Sequence, residues 1–239
     1  MSGIYTLTLF FCRTLFRSLT GAVPPLLTLV FYFVTFHLFP FDADYLISVG
    51  GFQMVLVCIV TTFLLTDKIN RAATYPFLQR LPHRSDLLVA NVLGSLLITG
   101  VLAIIFALVA TLRHLIFLNP IEWLHLIIRW TVLCSFTSVL TLHVTHLVAR
   151  NYSHLITYFV LAILVTISEQ KRVLIERDLG WLVEGVEWLV SPIKTTLSGA
   201  ISLPLPEYFQ PLVFTLMYTT LLSGFAAWLF RRKDVIWME

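Results

Sequence analysis

The chain is short of charge. Of its 239 residues only 12% are Asp, Glu, Lys or Arg, about half of the roughly 25% found in soluble domains. Mean hydropathy is +0.89, and several apolar runs reach the roughly 18 residues that mark a membrane span. This argues against an ordinary soluble fold and for a polytopic helical membrane protein. Lipid offers no hydrogen-bond partners, so each span must close its backbone bonds within itself. The alternating segments of roughly ten residues that mark a membrane β-barrel are missing. Cysteine is scarce as well. Cys12, Cys58 and Cys134 are odd in number and far apart, which argues against a disulfide framework. They read as small buried hydrophobes. Catalytic signatures are missing too: there is no G-x-x-x-x-G-K-[ST], G-x-S-x-G, H-E-x-x-H or C-x-x-C. The chain therefore has no P-loop for nucleotide phosphates and none of the common hydrolase, zinc-protease or redox motifs. No solenoid-like repeat is visible. The expectation is an all-α protein of six spans forming one domain over residues 1–239.

Residues 4–19 are apolar, with Arg13 and Arg17 four apart and so on one helical face. They predict a helix lying in the membrane interface, its arginines at the headgroups. The first span is predicted over 22–40, with Pro24 and Pro25 near its start, where a missing amide donor costs least. The second covers 45–66 and the third 87–112. A turn at Asn119-Pro120 leads to a fourth over 121–149, longer than a bilayer needs. A fifth covers 153–168. Residues 169–207 predict short amphipathic helices at the outer face, since Trp181, Val186 and Trp188 alternate with Glu184 and Glu187. The sixth span covers 208–230 and stops at Arg231-Arg232-Lys233.

An even number of spans puts both termini on one side. With the termini inside, ten lysines and arginines fall inside and five outside, the bias expected of cytoplasmic termini in a cell membrane. The longest polar interruption in the first two-thirds of the chain, 67–86, falls inside as well.

Arg129 lies within the fourth span, where a charge needs a partner or water. Glu122, seven residues back on the same helical face, is the partner the spacing favours, and a cation lining a substrate cavity is the alternative. Ser135, Ser138, Thr141 and Thr145 form a hydroxyl stripe suited to helix packing or to lining a path. Gly94, Gly100, Ser223 and Gly224 read as close-packing positions. His143 and His146 are weak candidates for a metal or haem, since no carboxylate or thiolate accompanies them. No bound metal is expected.

The arrangement resembles the transmembrane subunits of type-2 ABC exporters, six-span permeases of the type V exporter fold with an N-terminal interfacial helix. The basic segment 4–19 precedes the first span. The hairpin reads Asp67, Arg71-Ala72-Ala73-Thr74, Phe77-Leu78, Leu81-Pro82 and Arg84-Ser85-Asp86-Leu87, similar to the cytoplasmic element of that family. Ala72 or Ala73 stands where the family often has Gly, and Pro76 interrupts its short helix. Segment 169–207 with Ser191-Pro192, and the ending Phe230-Arg231-Arg232-Lys233-Asp234, resemble the outer helices and C-terminus of the family.

The resemblance implies a permease that exports a substrate without ATPase activity of its own. It implies pairing with a second permease subunit, identical or similar, and docking on a cytoplasmic ATP-binding subunit that carries the ATP and Mg. Membrane lipid surrounds it, nucleic acid is no partner, and no cofactor is bound by this chain. The contact with the ATP-binding subunit falls on Asp67, Arg71, Thr74, Tyr75, Phe77, Leu78, Arg80 and Leu81. The apolar side chains among these suit a groove in a partner. The rival readings are a haem-exporter-like permease, a membrane scaffold or sensor that recruits a partner through the same hairpin, and an intramembrane enzyme built on Arg129, Glu122 and the histidines.

Overall fold

The computed structural model describes residues 2–36, 43–69, 85–114, 118–145, 148, 181, 184–185 and 205–232. Those residues form an all-α structure. Helix α1 spans Ser2–Phe16, and a 3-10 turn at Leu19–Ala22 leads into α2, Val23–Phe31, which continues as a π-helical turn over Tyr32–Phe36. Then come α3 (Ala43–Ile69), α4 (Asp86–His114), α5 (Pro120–Val144) and α6 (Leu205–Arg232). Among the described residues five stretches are long and apolar enough to cross a membrane: Leu19–Phe36, Tyr45–Lys68, Asp86–Arg113, Pro120–Val144 and Leu212–Phe230. They match the predicted spans one, two, three, four and six. The predicted fifth span, 153–168, lies outside the described residues. Of the outer segment, Trp181, Glu184 and Gly185 are helical.

Helix α1 has 15 residues, about 22 Å of length against a hydrocarbon core of about 30 Å. It is too short to span. Leu7, Phe11 and Leu15, one turn apart, are buried against α3 and α4, while Tyr5, Leu9, Arg13 and Phe16 stay exposed. The helix ends at Phe16, earlier than the sequence pattern predicts, because the chain must turn there. The Ser18 hydroxyl donates to the Leu15 carbonyl at 2.6 Å, and Gly21 folds back onto that same carbonyl so closely that any Cβ would collide with it. Pro24 then sits in the first turn of α2, as expected.

Helix α5 packs on α3, α4 and α6. Asn119 caps it, Pro120 starts it, and the Glu122 carboxylate accepts the Asn119 backbone N–H at 2.7 Å, the reciprocal arm of a capping box. It ends at Val144, short of the predicted 149. Thr145 is extended (ψ 157°), and both its N–H (3.1 Å) and its hydroxyl (2.7 Å) take the Leu142 carbonyl.

Two apolar clusters divide the bundle lengthwise. One joins Leu7, Phe11 and Leu15 of α1 to Leu65, Leu87 and Leu88, to Leu142 of α5 and to Phe230 of α6. The other joins Tyr32 and Phe36 to Leu46, Met54 and Cys58, to Phe106 of α4, and to Leu126, Trp130 and Cys134 of α5. Helix α1, both helix ends that flank the hairpin and the last turns of α5 and α6 thus come to one end of the bundle. In the second cluster Trp130 lies against Gly50 and Gly51 of α3. A Cβ on Gly51 would sit 2.9 Å from the indole nitrogen, which donates to the Ile47 carbonyl at 3.0 Å.

Candidate functional site

Between the two clusters lies a belt of buried polar side chains: Thr61, Thr62 and Thr66 on α3, Asn91, Ser95 and Thr99 on α4, and Thr137, Ser138 and Thr141 on α5. Steps of four residues put Thr62 with Thr66, Asn91 with Ser95 and Thr99, and Thr137 with Thr141 on one face of their helices. A hydroxyl in an apolar helix first satisfies itself on the carbonyl one turn back. Thr61, Thr62, Thr66 and Thr141 do so at 2.7–2.8 Å. Their oxygens remain free to accept from other helices. With the Thr62 proton on the Cys58 carbonyl, the Ser95 hydroxyl donates to Thr62 Oγ1 at 2.7 Å, and Ser138 Oγ lies 3.2 Å away. Three helices meet at that point. One turn along, Asn91 Nδ2 donates to Thr66 Oγ1 at 2.8 Å. One turn the other way, the Cys58 thiol reaches the Cys134 carbonyl at 3.3 Å and Ser95 Oγ at 3.5 Å.

Two belt atoms have no hydrogen-bond partner, Asn91 Oδ1 and Thr99 Oγ1. Such buried orphans are rare and call for an explanation. Thr99 lines a cleft between α4 and α5 of about 100 Å³, with Gly100, Ala103, Trp123, Trp130 and Cys134.

The predicted site residues divide sharply. Ser138 is a central member of the belt. Ser135 is not: it is half-buried, and its hydroxyl returns to the Thr131 carbonyl at 2.7 Å. Arg129 is 1% exposed, with His125 buried one turn before it, and each has an interaction partner. Glu122 is engaged at the helix start, two turns from Arg129. His143 presents Nδ1 to the Val139 carbonyl at 2.9 Å and stacks on Phe225 of α6 at 6.0 Å, while its Nε2 is buried without a hydrogen bond. His146 lies outside the described residues, as do Arg71, Thr74, Tyr75, Phe77, Leu78, Arg80 and Leu81 of the hairpin. Asp67 is exposed in the last turns of α3. Among the described residues no three His, Cys, Asp or Glu side chains converge as a metal site.

All three cysteines are buried and free, as the sequence predicts. On the non-spanning α1, burial pushes the Cys12 thiol above its ordinary range. Gly94 is a close-packing position, its notional Cβ 3.3 Å from Leu65 and 3.6 Å from Cys12. Gly100 and Gly224 are not, for a Cβ at either meets nothing within 4 Å, and Ser223 is exposed. Sequence reasoning missed Thr62, Thr66, Asn91, Ser95 and Thr99. Four-residue spacing marks a polar face on each helix, but not which faces meet.

No protein-family model matches the chain, and neither a curated protein nor a solved structure is significantly similar to it.

Proposed function

We propose that the chain is the membrane subunit of an exporter driven by a separate cytoplasmic ATP-binding subunit, with the 67–86 hairpin as the contact between them. One observation carries this reading: the helix ends that flank the hairpin, Leu65 on α3 and Leu87 and Leu88 on α4, are packed into the same cluster as α1 and the last turns of α5 and α6. A push on the hairpin is delivered to every described helix of that cluster, because close-packed interiors transmit strain. The belt of hydroxyls and one amide beyond the cluster supplies a polar interior that shifts between hydrogen-bond patterns at low cost, since interhelical bonds in membranes average about 0.6 kcal/mol. A second permease subunit pairs with this one, both termini lie in the cytoplasm, and the membrane is the cell membrane.

The test is a mild-detergent pull-down of the tagged chain from its native membrane, with mass spectrometry and an ATPase assay. A P-loop ATPase co-purifies with the wild type and is lost from the Phe77→Asp/Leu78→Asp variant, which still inserts. Normal capture by that variant, or a wild-type preparation with no ATPase in conditions known to preserve complexes, overturns the proposal. The second outcome favours a scaffold that works without nucleotide.

A further inference from the structure

Cys58 and Cys134 are 76 residues apart in the chain and belong to different helices, yet they meet. The Cys58 thiol donates to the Cys134 carbonyl at 3.3 Å, and both side chains belong to one buried cluster. Met54 is one turn before Cys58 on the same face of α3, fully buried, and its carbonyl receives the Cys134 thiol at 3.9 Å. Two thiols and a thioether therefore share one cluster at the junction of α3 and α5. Cys134 also lines the cleft, together with the orphaned Thr99 hydroxyl. Thr99 is 1% exposed.

We propose that Cys58, Cys134 and Met54 form a binding site for a soft monovalent metal ion, Cu(I) or Ag(I), reached through the cleft between α4 and α5. Thiolate and thioether sulfur select such ions. Charge argues the same way. A monovalent ion bound by one thiolate and one neutral thiol, with loss of a single proton to solvent, leaves no net charge, the form least costly in a low-dielectric interior. A zinc ion needs about four ligands in tetrahedral array, nitrogen or thiolate, and no His, Asp or Glu joins the pair among the described residues. The Ser95 hydroxyl, 3.5 Å from the Cys58 thiol, can donate to the sulfur that becomes a thiolate. This site stands on its own geometry and does not depend on the transport reading.

The experiment titrates Cu(I) into the purified full-length protein against a chromogenic Cu(I) chelator. The wild type and Cys12→Ser each take one equivalent, and excess zinc does not displace it. Cys58→Ser and Cys134→Ser weaken binding by about 100-fold or more, beyond the 10–100-fold that loss of an outer-shell partner costs, and Met54→Leu weakens it less. Copper-edge X-ray absorption on the unmutated protein gives a shell of sulfur alone, a readout that holds even if a serine variant fails to fold. No uptake by the wild type, uptake that survives Cys58→Ser or Cys134→Ser, or a shell dominated by nitrogen or oxygen overturns the proposal.

Discussion

At Asn91 the two ends of one buried amide fare differently. Nδ2 donates to Thr66 Oγ1 at 2.8 Å, while Oδ1 has no hydrogen-bond partner. Removing Thr66 Oγ1 leaves the amide nitrogen orphaned as well, and an unsatisfied buried group costs about 1–3 kcal/mol. Removing the whole amide takes away the donor and the existing orphan together. Thr66→Val therefore destabilises more than Asn91→Leu, despite the smaller change in shape. The Thr66→Val/Asn91→Leu double variant lies close to Asn91→Leu alone, so the coupling matches in size the cost of Thr66→Val itself, about 1–3 kcal/mol. Unfolding in mixed detergent micelles measures all three. If Asn91→Leu is the worse, Oδ1 holds a group that matters, such as an ordered water. Ser138 was legible as a packing hydroxyl because it sits in a stripe along its own helix. Thr62 and Ser95 were not, since spacing within one helix does not say which faces of three helices will meet.

The helices themselves were legible, because runs of about 18 or more apolar residues have few other solutions in lipid. Their ends were less so. Around 145 the sequence has no proline or glycine to end a helix, and the stop comes from Thr145 taking the Leu142 carbonyl for itself. Nor could composition rank the glycines. Gly51 seats the Trp130 indole, and an added Cβ would stand 2.9 Å from its nitrogen. Gly100 borders the cleft with open space beside it. Alanine in a helix interior gains roughly 0.5–1 kcal/mol over glycine, whereas overpacking costs about 1–3 kcal/mol. At Gly51 the clash wins, and Gly51→Ala lowers stability by about 1–2 kcal/mol. At Gly100 nothing opposes the helix term, and Gly100→Ala raises stability by up to about 1 kcal/mol. The same micelle unfolding assay reads both signs. A gain in stability from Gly51→Ala would mean that α3 and α5 do not meet at this seat.

For the molecule as a whole, the central question is which end faces the cytoplasm. The fold brings α1, the base of the hairpin and the last turns of α5 and α6 to one end, and it puts Asn119 at the start of α5, near the opposite cluster that holds Trp130 and partly buries Leu118 and Trp123. Among the described residues Arg13, Arg17, Lys68, Arg231 and Arg232 fall at the hairpin end and Arg113 at the other, a bias that by the positive-inside rule points the hairpin end to the cytoplasm. The chemistry of the chain makes this direct to test. Its three cysteines are all buried, so a membrane-impermeant maleimide has little background to overcome. Arg13 and Asn119 are both exposed, one at each end. In intact cells Asn119→Cys labels and Arg13→Cys does not. After the membrane is permeabilised both label. The opposite pattern would place the hairpin outside the cell, where no ATP-binding subunit could reach it, and the transport proposal would fail at its mechanical contact. Labelling of both sites in intact cells would mean that the two ends are not separated by the membrane, against the length and hydropathy of the five spanning helices.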